Sequence, residues 1–223
     1  MKITAALIFL ASPAVAQDAP TTFSLPEGCT AFLTVQSESC EVDHHFTCTF
    51  DPEGNQRRVS LDEEGMTYAG MTDPETQWLE SFHIRGGHTE TLEENPSERA
   101  SFSDLTTLGS DDYDFRTLSD QIGETRYVGQ DTLTGREVII DGITLEETTY
   151  DLTAYDAEGN ELWSSKGNEL ISREWNMFLS GTGTITTPRG SFDRSSLPVE
   201  FIFPGEPGFL SANPKHGCGA AIS

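Results

Sequence analysis

The sequence predicts a mainly β protein: a single antiparallel, strongly curved sheet, half-barrel or barrel-like, with one short covering helix near residues 96–108. Three observations carry that expectation. Apolar residues recur at every second position in several short segments, the signature of half-buried strands. Turn residues separate those segments at hairpin-like intervals. Only one stretch changes to helical spacing, and a lone amphipathic helix must lay its apolar face on a sheet.

Taken in order, residues 1–16 read as a signal peptide. Lys2 supplies the positive end, Ile3 to Ala11 the apolar run, and Ala14-Val15-Ala16 the small-x-small cleavage site. The run is too short for a permanent membrane span. No cysteine follows the cleavage site directly, so no lipid anchor is expected. Residues 17–223 then form a single β-rich domain, periplasmic or secreted.

The first strands are marked by Ala31, Leu33 and Val35, then by Phe46, Cys48 and Phe50. Phe50-Asp-Pro-Glu-Gly-Asn55 and Tyr155-Asp-Ala-Glu-Gly-Asn160 share one turn formula, and Leu61-Asp-Glu-Glu-Gly-Met66 is a looser copy. Asp at the first turn position accepts from the backbone ahead, and Gly supplies the positive φ. Trp78, Phe82 and Ile84 share a parity. Asn95, Pro96 and Glu98 fit an N-terminal capping box, Phe102, Leu105 and Leu108 fall on one face, and Gly109 ends the helix. Asp111, Asp112 and Asp114 lack calcium-loop spacing and read as a solvated acidic loop. Val138-Ile139-Ile140 is apolar on both faces and suits a central strand, and Asp141-Gly142 is a two-residue hairpin signal. Tyr150, Leu152 and Ala154 alternate. Ile171, Trp175, Met177 and Leu179 read as one further strand. The tail 204–223 is irregular and is expected to lie extended over the surface.

Four cysteines in an exported chain imply two disulfides. Cys40 and Cys48 bracket a segment short enough to be a hairpin tip, and Cys29 and Cys218 lie near the two mature ends, which are often close in space. The expected pairing is therefore Cys40–Cys48 with Cys29–Cys218, ahead of Cys29–Cys48 with Cys40–Cys218. The formal net charge of −24 repels phosphate backbones and anionic lipid surfaces, so nucleic acid is a poor partner. Its plain effect is solubility.

His83 and His88 straddle Gly86-Gly87, a turn that would set them opposite each other as candidate metal ligands. Adjacent His44 and His45 on a strand would face opposite ways. The nucleophile-elbow, zincin, Ser-x-x-Lys and P-loop signatures are absent. No catalytic residue and no cofactor is assigned. The aromatic set is rich, and a curved sheet under a helix can enclose a greasy hollow. Trp175, Met177, Leu179 and Phe102 are the candidate lining for a hydrophobic small molecule or lipid.

The meander formed by Val138–Leu145, the strand around Tyr150–Tyr155, the Asp-x-Glu-Gly-Asn turn, Glu161-Leu-Trp163 and the run to Leu179 resembles the half-barrel of LolA-type periplasmic lipoprotein carriers. The resemblance covers roughly residues 120–185 and rests on pattern. The chain also resembles uncharacterised exported β-rich proteins of Gram-negative bacteria. The leading expectation is a soluble extracytoplasmic, non-catalytic binding protein, in its most concrete form a half-barrel holding a lipid or other apolar ligand in the sheet's hollow. The alternatives are a metal-assisted hydrolase using the histidines and a structural or interaction domain with a filled core.

Overall fold

The computed structural model describes residues 21–219, so the expected signal peptide lies outside the described residues. Thirteen strands follow one another: β1 (Cys29–Ser37), β2 (Glu41–Cys48), β3 (Gln56–Asp62), β4 (Gly65–Thr72), β5 (Trp78–His83), β6 (His88–Leu92), then, after helix α1 (Phe102–Leu108), β7 (Ser110–Ser119), β8 (Gly123–Ile140), β9 (Ile143–Tyr155), β10 (Glu161–Ser172), β11 (Met177–Thr187), β12 (Gly190–Ser195) and β13 (Pro198–Ile202). All belong to one antiparallel sheet. It is a meander from β1 to β12, with β13 added outside β1.

The two edges of this sheet are β12 and β13, and only Ser196 and Leu197 separate them in sequence. Two residues span less than about 10 Å, so the sheet must curl until its edges nearly meet. It is not closed into a barrel. The seam is bridged through side chains: the Ser195 hydroxyl donates to the Glu38 carboxylate, and Asp141 Oδ2 accepts from Phe201 N–H at 2.9 Å. Leu33 and Val35 of β1 and Phe201 of β13 pack there with Leu145, Leu170, Met177 and Leu179 from β9–β11.

A second cluster covers the other face of β1–β3. Val42, Phe46, Val59 and Leu61 meet Phe23 and Leu25 from the N-terminal segment and Phe209, Leu210 and Ala212 from the tail. The tail thus lies over the surface as expected, and a disulfide fastens it. The expected pairing is corrected: Cys29 bonds Cys48, and Cys40 bonds Cys218. The segment Glu41–Thr47, read as a hairpin tip, is strand β2. Cys29 and Cys48 are register partners at the open end of the β1–β2 hairpin, while Cys40 occupies its turn at φ 58° beside the tail, where its N–H reaches His216 O at 3.0 Å.

The three Asp/Glu/Gly turns all close hairpins. In the third, Asp156 Oδ1 accepts from the Glu158 and Asn160 N–H groups at 3.0 and 2.8 Å. Asp141 (φ 50°) and Gly142 (φ 78°) make the two-residue β8–β9 turn with both central residues at positive φ. Four other expectations are corrected. The acidic stretch is strand β7, because Asp111, Tyr113, Phe115 and Thr117 alternate inward while Asp114 pairs outward with Arg126 across β8. The run 138–140 is not central, since Ile139 is 72 % exposed near the free end of the long β8–β9 hairpin. A bulge against β4 at Leu79 shifts the parity of β5, so Trp78 faces the hollow beside Phe115 and Tyr127, followed by Ser81 and His83, while Phe82 turns away from it; the two rings are equally exposed, at 39 and 38 %. Ile171 and Met177 lie on different strands, because Arg173–Asn176 is a turn with Asn176 at φ 52°.

The helix is shorter than expected. Glu98 forms a bridge with Asp114 of β7, which takes the proposed capping box out of the helix. Ser101 is the N-cap, its hydroxyl accepting from Asp104 N–H, and Gly109 at φ 90° ends the helix as anticipated. Glu75 reinforces the start by accepting from Ser103 N–H at 2.8 Å. Ser101→Ala is expected to cost about 0.5–2 kcal/mol, whereas Asn95→Ala, an exposed site, is expected to stay within about 0.5 kcal/mol. Chemical denaturation of both variants checks this, and a larger loss at Asn95 would contradict the placement of the cap.

Candidate functional site

Inside the curl lies a cavity of about 710 Å³ reached by residues from β2–β6 on one side and β7–β12 on the other. Its wall is two-sided. One side is aromatic: Trp163, Tyr127, Trp78 and Phe115 form a chain with ring centroids 5.3–6.2 Å apart. Glycines on the sheet let tyrosines lie flat against it, and a Cβ at Gly129 would fall 2.6 Å from the Tyr113 ring. Tyr68 and Tyr150 are fixed through their hydroxyls to Ser81 and Ser165, at 3.0 and 2.9 Å.

The other side is ionic. The Arg58 guanidinium stacks over the Tyr68 ring at 4.9 Å, and Asp43, Glu41 and Glu169 supply the nearby negative charge. Asp43 in turn accepts from the Ser60 hydroxyl. Burial raises the carboxyl of Glu169 to about 7 against the pull of Arg194 and Arg58. Asp131, 8 % exposed on β8, is raised further, to about 8, by burial first and then by Glu169 and Asp111. No described residue gives Asp131 a hydrogen bond or an ion pair. His45 also borders the cavity. Burial and then Arg58 depress its imidazole to about 3, and its Nε2 has no partner among the described residues. As anticipated for adjacent strand residues, His44 faces the other way, bonded to Thr34 and stacked on Phe23.

The candidate lining residues divide between two clusters. Trp175, Met177 and Leu179 belong to the seam, where Trp175 stands 5.4 Å from Phe201, and Met177 and Leu179 also border the cavity. Phe102 lies apart from them, at 5.9 Å from Phe178, and with Leu105 and Ile171 it anchors the helix. The hollow itself is lined less by these residues than by charges and tyrosines. Inward-facing Arg58, Asp131 and Glu169 were missed because alternation assigns a polar residue to solvent.

The candidate metal ligands are brought together. His83 and His88 are register partners across the β5–β6 turn, with rings stacked at 4.5 Å. Glu90, not singled out in the sequence, joins them with Oε1 at 3.3 Å from each Nε2. The signal was present as His88-x-Glu90, since residues two apart on a strand share a face. Burial opposes ionisation of Glu90, but the adjacent His83 imidazole and hydrogen bonds from Thr117 and Tyr127 outweigh it and hold the carboxyl at about 2.

No protein-family model, no curated protein and no solved structure matches the chain, and nothing among them bears on the LolA-type resemblance.

Proposed function

We propose that this is an extracytoplasmic, non-catalytic binding protein that holds one small amphipathic molecule in the hollow of its curled sheet. The ligand's apolar body lies against the aromatic chain, and an amine points to Asp131 and Glu169. The observation that carries this reading is Asp131, a largely buried carboxyl that faces the cavity with no protein partner among the described residues. Such a group costs stability, and a protein retains that cost where a ligand offsets it. The two disulfides support an oxidising compartment, and no helix among the described residues is long and apolar enough to cross a membrane. The apolar ligand expected from the sequence becomes an amphipathic one because charged side chains, Arg58, Asp131 and Glu169 among them, share the wall with the aromatic rings.

The titrations give a stability profile with defined signs. Asp131 and Glu169 keep their protons in the folded state after the unfolded chain has lost them, from their ordinary values of 3.8 and 4.5 up to about 8 and 7. The unfolded state then binds fewer protons, so stability falls as pH rises through that window. His44 and His45 act oppositely. They are neutral in the fold down to about 4 and 3 against an ordinary value of 6.5, so their contribution is lost as pH falls below 6.5. Glu90 adds a loss below its ordinary value of 4.5. Asp111, raised to about 6, and Glu41, also raised, act in the same direction as Asp131. Stability is therefore expected to be greatest near pH 4.5 and to decline toward pH 8.

Asp131→Asn should flatten the alkaline decline and raise stability at pH 8 on the order of 1–3 kcal/mol. Melting curves of both proteins from pH 5 to 8 check this, and identical slopes would contradict it. The same substitution tests function. The folded wild-type protein should enhance the fluorescence of a cationic aromatic dye more than that of its neutral analogue, and Asp131→Asn should remove the preference. Native mass spectrometry of protein purified from its own compartment should show one retained small molecule. A protein that retains none and enhances neither dye overturns the reading.

A further inference from the structure

We propose that His83, His88 and Glu90 form a binding site for one divalent transition-metal ion, with zinc the fitting ion. This site stands on its own geometry and does not depend on the identity of any ligand in the hollow.

The spacing of the three ligand atoms is the first argument. Glu90 Oε1 lies 3.3 Å from His83 Nε2 and 3.3 Å from His88 Nε2. A tetrahedral ion with bonds of about 2.0–2.1 Å holds its ligand atoms roughly 3.3 Å apart. Charge-assisted N–H···O bonds to a carboxylate are shorter, about 2.7–2.9 Å. Both imidazoles therefore sit at the separation of co-ligands, and the same geometry is a poor pair of hydrogen bonds. All three ligand atoms lie within 4.8 Å of one another.

The support around them is the second argument. Glu90 is 5 % exposed. Its other oxygen, Oε2, accepts from the Thr117 hydroxyl and from the Tyr127 hydroxyl, the latter at 3.0 Å, which leaves Oε1 for the site. Oriented outer partners of this kind are a regular part of metal centres. The turn is shaped for the rings as well: a Cβ at Gly86 would lie 2.8 Å from His88 Nδ1. Tyr68 packs edge-on against His83 at 5.5 Å.

Two imidazoles and a carboxylate, with no thiolate, suit zinc and copper(II) and disfavour calcium and magnesium. Three protein ligands leave a tetrahedral ion one open position. His83 and Glu90 both border the hollow, so an ion held there stands at its rim, available to water or to a donor atom of a bound molecule.

The test uses the disulfide-bonded protein stripped with EDTA and titrated with zinc chloride, followed by calorimetry and native mass spectrometry. One ion per chain and a rise in melting temperature are expected. His83→Ala and His88→Ala should each abolish stoichiometric binding. Thr117→Val should weaken it by about 10-fold, because only the orientation of Glu90 is lost. The His83 side chain is 40 % exposed, so His83→Ala tests the site without emptying a packed region. Absence of stoichiometric zinc or copper(II) uptake by the wild-type protein overturns the proposal, and so does uptake that His83→Ala and His88→Ala leave unchanged. Dye binding by the hollow that persists in a protein taking up no metal would overturn this site alone.

Discussion

Replacing Cys40 and Cys218 together by serine is expected to lower the free energy of unfolding by about 5 kcal/mol, the largest effect of any change considered. The bond closes a loop with a sequence separation of 178 residues, and loop-closure entropy in the unfolded chain grows with the logarithm of that length. The Cys29–Cys48 bond, with a separation of 19, is expected to contribute about 3 kcal/mol on the same reasoning. For a domain whose total stability is on the order of 5–15 kcal/mol, losing the first bond brings the fold near its threshold. The effect is also local. The bond pins the tail whose Phe209, Leu210 and Ala212 cover the outer face of β1–β3. Denaturant melts of the two double-serine variants give the ranking, and non-reducing peptide mapping gives the pairing directly. A Cys40–Cys48 or Cys29–Cys218 peptide, or a smaller loss for the long loop than for the short one, would refute it.

Phe102→Ala is expected to cost about 3–5 kcal/mol, the range for emptying a buried aromatic site. The ring is 5 % exposed and meets Phe178 edge-on, with Leu105 and Ile171 completing the cluster. A seven-residue helix has almost no stability of its own, so its place on the sheet depends on this packing. Exposed Leu108→Ala, at the same helix's other end, should change little, because Leu108 is 73 % exposed. Comparable losses at the two positions would mean that the helix is not anchored through Phe102.

The comparison of sequence with structure divides along the range of the interactions involved. The Asp-x-Glu-Gly-Asn turns, Asp141-Gly142 and the Gly109 cap were legible because backbone conformation within a few residues demands those side chains. The helix start was not, since a sound local capping box at Asn95–Glu98 lost to a bridge between Glu98 and Asp114. The turn at Arg173–Asn176 was hidden because Asn176 supplies the positive φ without a glycine. Disulfide pairing depends on which strands are neighbours, and spacing carries no such information. For the site, Gly86-Gly87 announced the meeting of His83 and His88, but the charged half of the hollow was illegible. Alternation sends Asp131 and Glu169 to solvent unless the sheet is known to curl around them.

The placement of β13 beside β1 sets a timetable for folding. From β1 to β12 every strand pairs with its sequence neighbour, so each hairpin can assemble as soon as its own residues are free. The seam has to wait for Ile202, and the second disulfide for Cys218, because their partners are among the first residues of the sheet. Until then the growing meander carries β1 as an unpaired edge, with Val42 and Phe46 of the neighbouring strand uncovered, a surface prone to joining other chains. Closing the seam is therefore expected to come last, because it joins residues far apart in sequence.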